Sequence, residues 1–110
     1  MALDPGKTFD MGVTLSLAID RLRAHEAELR RRGVRHAAVF GSVARAEASP
    51  TSDVDILVDI DPAHGMDLIE YADLKLYLAD LFQGAADVVN GKTLKPLLRD
   101  SILRDAVSAF

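Results

Sequence analysis

The segment DVDILVDI, residues 53–60, constrains the fold of this chain more than any other, because Val or Ile occupies every second position. A period of two is typical of a β-strand with one apolar side and one polar side. One side carries Val54, Ile56, Val58 and Ile60, and the opposite side carries Asp53, Asp55, Leu57 and Asp59. The segment therefore predicts a strand that presents several carboxylates opposite its apolar face.

The residues before this strand predict a helix, a strand and a short helix. Apolar residues at helical spacing predict an amphipathic helix over residues 14–32, which Gly33 ends as a C-terminal cap. The segment VRHAAVFG predicts a buried strand that enters a turn at Gly41. We expect Ser42 to cap the next short helix, over the segment VARAEA.

The residues after it predict a helix over residues 66–82 closed by Gly84, a strand over residues 86–90, and a last helix from Thr93 with Pro96 in its first turn. This order indicates an α/β (α+β) fold, a small mixed β-sheet flanked by helices. With 110 residues the chain accommodates one domain. We assign it to residues 14–110, after a flexible N-terminal arm over residues 1–13.

Composition narrows the classes of function. The net charge is −4, so a broad nucleic-acid-binding surface is not expected, although residues 21–35 form a local basic strip typical of a solvated helix side. Without cysteine the chain has no disulfide framework, thiol nucleophile or cysteine-ligated zinc. No segment has the length of a bilayer span or the pattern of a secretion signal, and we expect a cytoplasmic protein that does not associate with membranes.

The paired acids of the strand are candidate metal ligands. Asp53 and Asp55 lie on the same strand face at roughly 6.6 Å between Cα atoms, given a rise of about 3.3 Å per residue. Their carboxylates could converge on one ion, and hard oxygen ligands suit magnesium. Two aspartates alone would also fit an exposed strand face where water screens both charges.

The turn upstream and the third strand favour the metal hypothesis. Gly41 allows close approach of the backbone, and Ser42 offers a hydroxyl and amides for an anion such as phosphate. Asp87, between apolar residues of the third strand, would lie beside the first two acids in a compact sheet. Three carboxylates on adjacent strands could hold two metal ions, one on a triphosphate and one on an attacking hydroxyl.

Taken together, the segments GSVARAEASPTSDVDILVDID and ADVVNGKTLKPLLRDSILRDAV resemble minimal nucleotidyltransferase (MNT) domains of the DNA polymerase β superfamily. The signature of that family is Gly-Ser, ten residues, then Asp-x-Asp, and the spacing here matches it. The resemblance implies that Gly41 and Ser42 bind nucleotide phosphates. It also implies that Asp53, Asp55 and Asp87 are catalytic residues that coordinate two Mg²⁺ ions.

The same resemblance gives two further site expectations. Asp87 would also help to deprotonate the acceptor hydroxyl. Arg45 matches an arginine of the family pattern, where it would contact phosphate or hold the turn. Ala46 and Thr51 depart from the commoner wording of the motif, which puts the detail of the turn in doubt but removes no metal ligand.

The resemblance extends to antitoxins of HEPN–MNT toxin–antitoxin pairs. It implies a protein adenylyltransferase that transfers AMP from ATP to a tyrosine of a cognate HEPN ribonuclease toxin, silences it, and forms a hetero-oligomer with it. Two alternatives stay open: an antitoxin that acts by binding and occlusion without catalysis, and nucleotidyl transfer to a small molecule or RNA. The predicted helix over residues 66–82 is apolar around more than half its circumference, which fits either a partner surface or a deeply buried helix.

Other polar residues are weaker candidates. His25, His36 and His64 lack a second nitrogen or sulfur ligand at useful spacing, so none is predicted to bind zinc or act as a base. Tyr77 could accept a nucleotide from its own chain, but an amphipathic surface tyrosine is the commoner case.

Overall fold

The computed structural model describes residues 14–49 and 52–110, so the predicted arm and the Pro50–Thr51 part of the loop lie outside the described residues. The elements in chain order are α1 (Leu15–Ala24), α2 (Glu26–Arg31), β1 (Val34–Phe40), α3 (Gly41–Ala44), β2 (Val54–Ile60), a 3₁₀ turn (Pro62–His64), α4 (Leu68–Leu81), β3 (Ala86–Asn90), a 3₁₀ turn (Gly91–Thr93), α5 (Pro96–Asp105) and β4 (Val107–Ser108).

The four strands form one mixed sheet in the order β3-β2-β1-β4. Strand β1 is antiparallel to both β2 and β4, whereas β2 and β3 are parallel. Helix α4 connects the parallel pair, because parallel strands need a crossover connection rather than a hairpin. The predicted class, a small mixed sheet flanked by helices, is confirmed.

One face of the sheet forms the hydrophobic core. All four Val and Ile side chains of the alternating segment in β2 are buried, as the pattern predicts. They pack with buried residues of the helices, namely Ala18, Ile19 and Leu22 of α1, Leu29 of α2, and Leu74 and Leu78 of α4. A register shift between Val34 and His36 lets β1 bury Val34, Ala37 and Val39 on the same side despite their uneven spacing.

The first predicted helix is divided. Thr14 caps α1 through its side-chain oxygen, which accepts a hydrogen bond from the amide of Leu17, and Gly33 has the positive φ of a C-terminal cap, 105°. Between them His25 leaves the helical conformation, with ψ at 16°, and separates α1 from α2. The expectation of one continuous helix over residues 14–32 was therefore wrong at His25.

The later element boundaries differ at the ends. Helix α4 begins two residues after the predicted start, because Asp67 and Glu70 form a capping box that fixes its first turn. Helix α5 begins at Pro96 rather than Thr93, since Gly91–Thr93 form a 3₁₀ turn that the side chain of Asn90 caps. The two-residue strand β4 was not predicted, because a segment this short has no detectable alternation.

Helix α4 buries only part of its apolar surface. Leu74 and Leu78 are buried, but Leu68, Ile69 and Leu76 are 86%, 75% and 64% exposed. The interpretation of a deeply buried helix holds for one side only, because the other side faces solvent; the interpretation of a partner surface stays a prediction. No helix within residues 14–49 and 52–110 combines the length and apolar character that a bilayer crossing requires.

Candidate active site

The predicted Gly-Ser turn lies directly against the predicted acids. Strand β1 ends at Phe40, and Gly41 follows with φ at 73°, a left-handed conformation that is strained for residues with a side chain. A Cβ atom at this position would collide with Oδ2 of Asp55. Position 41 therefore needs glycine for two reasons, its backbone conformation and its close approach to the Asp55 carboxylate.

Strand register brings Asp55 and Asp87 side by side. Asp55 pairs with Phe40 of β1 on one side and with Asp87 of β3 on the other. Residues paired across a parallel ladder point to the same face of the sheet, here the face opposite the buried valines and isoleucines. Asp53 lies one residue before β2 begins. The sheet thus gathers the three predicted acids at one end of two neighbouring strands.

The electrostatics of Asp55 fit a cation site. Burial raises the pKa of this half-buried carboxyl group, and the charges of Asp87 and Asp53 raise it further. Arg45 acts in the opposite direction and lowers the pKa, but it is the smallest of the four contributions. The ionised form of Asp55 is therefore disfavoured by its surroundings, and a nearby divalent cation would favour it.

The three residues fit magnesium in their chemistry, and strand register brings two of them, Asp55 and Asp87, side by side. All three groups are carboxylates, the hard oxygen ligands that Mg²⁺ takes together with substrate phosphates. Their side chains are spread rather than converged: within the described part of the chain, no three His, Cys, Asp or Glu side chains form a group able to hold a metal ion. Asp53 and Asp87 are exposed, where water screens their mutual repulsion.

Ser42 differs from the sequence expectation, whereas Arg45 agrees with one of its two expected roles. Ser42 does not cap α3, because the helix already begins at Gly41 and Phe40 takes the cap position. The helix ends at Ala44, well short of the predicted VARAEA segment, since Ala46 adopts a left-handed conformation with φ at 60°. Arg45, the residue after α3, binds Glu47 and Asp105, so its side chain holds the turn through carboxylates.

Sequence reasoning missed two residues near the acids. Burial and the charge of Asp87 raise the pKa of Tyr71, which places this α4 residue within electrostatic range of the acid set. Asp105 at the end of α5 contacts Arg45 across 60 positions of sequence. No local spacing could indicate either relationship, because both depend on how α4 and α5 return to the sheet.

The remaining candidates lie apart from the acids. Tyr77 is half-buried, its hydroxyl is hydrogen-bonded to Nδ1 of His25 at 3.0 Å, and the Arg32 guanidinium lies 4.3 Å from its ring centroid. His64 packs against Gly33 and lies in a surface cleft of mixed charge lined by Glu28, Arg31, Arg32, His64, Glu70 and Asp73. That cleft contains none of the predicted site residues. The candidate active site lies instead at one end of the neighbouring strands β2 and β3.

Comparisons with known proteins identify the family of the chain. The family model described as polymerase beta, nucleotidyltransferase matches residues 26–109. A protein adenylyltransferase of Thermococcus cleftensis, MntA, is 42% identical over 87 residues, which cover 78% of this chain and 86% of the relative.

Two solved structures share the fold. One, named for a minimal nucleotidyltransferase, is 38% identical with a TM-score of 0.73 and covers 86% of this chain and 95% of its own. The other is a complex of a tri-AMPylated HEPN toxin of Shewanella oneidensis with its MNT antitoxin, 19% identical with a TM-score of 0.61, which covers 88% of this chain and 72% of its own. At 19% identity, the second structure is evidence for a shared fold alone.

The family match covers most of the chain, from α2 to β4. Its residues 26–109 include the Gly41 turn and all three acids. The chain is therefore a nucleotidyltransferase, a member of the polymerase β nucleotidyltransferase family.

Proposed function

We propose that this chain transfers AMP from ATP to a tyrosine hydroxyl of a HEPN-domain ribonuclease toxin, and that it thereby acts as the antitoxin. The observation that carries the proposal is the contact of the Gly41 backbone with the Asp55 carboxylate, with Asp87 in register beside it. A phosphate-binding turn and an acid set in contact are what nucleotidyl transfer needs. The name of the Thermococcus relative, a protein adenylyltransferase, supports AMP as the group and protein as the acceptor.

In the proposed reaction, the phenolic oxygen of the acceptor bonds to the α-phosphorus of ATP while the bond from that phosphorus to the bridging oxygen breaks. Pyrophosphate leaves and the phenolic proton is lost. We assign the Ser42 hydroxyl and the backbone amides of the Gly41 turn to the phosphates, and Arg45 to the same negative charge. We assign proton removal to Asp87, and its exposed position beside Asp55 supports this assignment.

Asp53, Asp55 and Asp87 would hold two magnesium ions, which when bound neutralise the triphosphate and lower the pKa of the attacking hydroxyl. The contribution of the chain itself is positioning. Asp55 is held by β1 on one side and β3 on the other, and the absence of a side chain at Gly41 lets the turn lie close to it.

The exposed side of α4 supports a protein as acceptor. Leu68, Ile69 and Leu76 are each more than half exposed, although they belong to a helix whose other side lies in the core. Exposed apolar surface on one side of a helix is a feature of protein–protein contact sites. The complex of the MNT antitoxin with a tri-AMPylated HEPN toxin, which has this fold, makes a toxin the partner that we propose.

The test is the intact mass of the HEPN-domain protein encoded beside this chain, after incubation with the chain, ATP and magnesium. We expect a gain of one or more AMP masses, and peptide mapping should place the gain on tyrosine. The matched controls are the Asp53→Ala and Asp55→Ala chains, which should give no gain while still binding the toxin. A toxin with the modified tyrosine replaced by phenylalanine should stay unmodified and active.

Two results would contradict the proposal. A stable complex with no mass gain, together with toxin protection by the Asp55→Ala chain, would establish neutralisation by occlusion. A mass gain on RNA or on a small molecule, with none on the toxin, would establish a different acceptor for the same chemistry.

A further inference from the structure

Asp105, the last residue of α5, forms an ion pair with Arg45, the residue that follows α3. Nη1 of Arg45 donates a hydrogen bond to Oδ2 of Asp105 at 2.6 Å, and Nε donates to Oε1 of Glu47 at 3.0 Å. Both carboxylates raise the pKa of the guanidinium, which stays charged. Two of its donor nitrogens, Nε and Nη1, are therefore hydrogen-bonded to carboxylates. The other terminal nitrogen, Nη2, donates to no described residue.

The two carboxylates are not equivalent. Glu47 is two residues from Arg45 and its side chain is 65% exposed, so water competes for the contact. Asp105 comes from another element and is 24% exposed. It is also the last residue of α5, where the negative end of the helix dipole disfavours a carboxylate. Its pairing with Arg45 offsets that cost, which points to a specific role for the contact.

Arg45 also lies beside the turn that approaches the acids. It directly follows the Gly41–Ala44 helix, whose first residue lies against Oδ2 of Asp55. Any residue that fixes the Arg45 side chain therefore fixes the position of a positive charge beside the phosphate turn and the acids.

We propose that Asp105 is a positioning residue of the nucleotide site, which acts by orienting the Arg45 guanidinium toward the triphosphate. The proposal rests on the function proposed above, in that the turn and Arg45 bind nucleotide. It makes the end of α5 part of the active site, although α5 contributes no residue to the family signature.

The experiment measures the Kd of α,β-methylene-ATP with magnesium by calorimetry, because the α–β bridge of this analogue cannot be cleaved and no acceptor is needed. Asp105→Ala should weaken binding roughly fivefold, the value of one partly exposed charge pair. Asp105→Glu should restore most of the affinity, and Asp105→Asn, which keeps the shape without the charge, serves if the alanine variant does not fold. Asp100→Ala, exposed on the same helix, is the matched control and should bind as the parent does.

A double-mutant cycle decides whether Asp105 acts through Arg45. In an Arg45→Ala background, Asp105→Ala should cause no further loss of affinity. Equal losses in both backgrounds, or unchanged binding by both Asp105→Ala and Asp105→Asn, would overturn the proposal. If the parent chain binds the analogue but transfers no AMP to the toxin, the proposed function fails and this inference stands; if the parent binds no nucleotide, both fail.

Discussion

The two faces of β2 serve different purposes within one seven-residue strand. One face places Val54, Ile56, Val58 and Ile60 in the core, and the other places Asp55 against the Gly41 turn and beside Asp87. The first face contributes to stability through burial of apolar surface. The second gathers like charges that oppose one another, at a cost to the folded state. The residues that stabilise the fold thus alternate along β2 with the residue proposed for chemistry. A change on the apolar face should therefore leave activity intact, and a change at Asp55 should leave stability intact.

The largest effect should come from Asp55→Asn. We expect transfer activity to fall by at least about a hundredfold, the loss typical of removing one group that stabilises transition-state charge. The fold should not weaken, because burial and the neighbouring carboxylates raise the pKa of Asp55 and so penalise its ionised form. AMP incorporation and melting temperature, measured on the same preparation, check both parts.

The stability of the parent and of Asp55→Asn should also depend differently on pH. A carboxyl group with a raised folded-state pKa contributes stability below its unfolded-state pKa of about 4, and this contribution is lost as pH rises through the folded value. The parent should therefore lose stability relative to Asp55→Asn between acidic and neutral pH. A variant that melts lower than the parent at neutral pH would break the comparison, because the acid face would then also be stabilising.

Ile56, the residue after Asp55, should give the opposite result, a loss of stability with little loss of activity. Ile56 is fully buried, and Ile56→Ala should lower the free energy of unfolding by about 3 kcal/mol, the lost transfer energy plus a cavity. At a temperature where the variant is folded, transfer activity should stay within a factor of about three of the parent. Urea denaturation gives the first quantity and single-turnover AMP incorporation the second. A large activity loss in fully folded protein would show that the two faces are coupled.

Helix α4 extends the comparison from a strand to a helix. Leu76 is exposed and Leu78, two residues later, is buried. Leu76→Gln should weaken toxin binding by about tenfold, as truncation of an interface anchor does, with little change in melting temperature. Asp80→Asn, an exposed change on the same helix, is the control and should bind normally. Unchanged toxin affinity in Leu76→Gln would remove this side of α4 from the proposed interface.

The smallest expected effect concerns the turn between the strands. Ala46 has φ at 60°, which costs about 1–2 kcal/mol for a residue with a Cβ atom, partly offset by the entropy that glycine loses on folding. Ala46→Gly should therefore stabilise the protein by about 0.5 kcal/mol. Ala44→Gly, at the last residue of α3, should destabilise it. Chemical denaturation of both variants tests the opposite signs.

The sequence predicts β2 well because the residues that mark its core face and its acid pair lie close together in the sequence. Alternation marks its core face, and the Asp-x-Asp spacing marks the acid pair; the register of Asp55 with Asp87 confirms the prediction that a third acid lies beside it. The departure of Ala46 from the family pattern was also visible, and the structure gives its physical meaning as a strained φ.

What could not be predicted depends on contacts between distant segments. The break at His25 accompanies a hydrogen bond to Tyr77, which lies 52 positions away. The contact of Arg45 with Asp105 needs α5 to return to the turn, and strand β4 exists only because β1 offers it an edge. Residue spacing carries no record of such contacts, so the helix division, β4 and Asp105 emerged only from the three-dimensional arrangement.

The parallel pairing of β2 with β3 has a consequence for biosynthesis. Residues 61–85, including all of α4, separate the two strands, so Asp87 reaches Asp55 only after that segment has been synthesised and packed. A nascent chain still emerging from the ribosome can form the Gly41 turn and the first two acids, but not the third. Under the role proposed for Asp87, we expect transfer activity to appear only after β3 has paired with β2, so that shorter nascent chains consume no nucleotide.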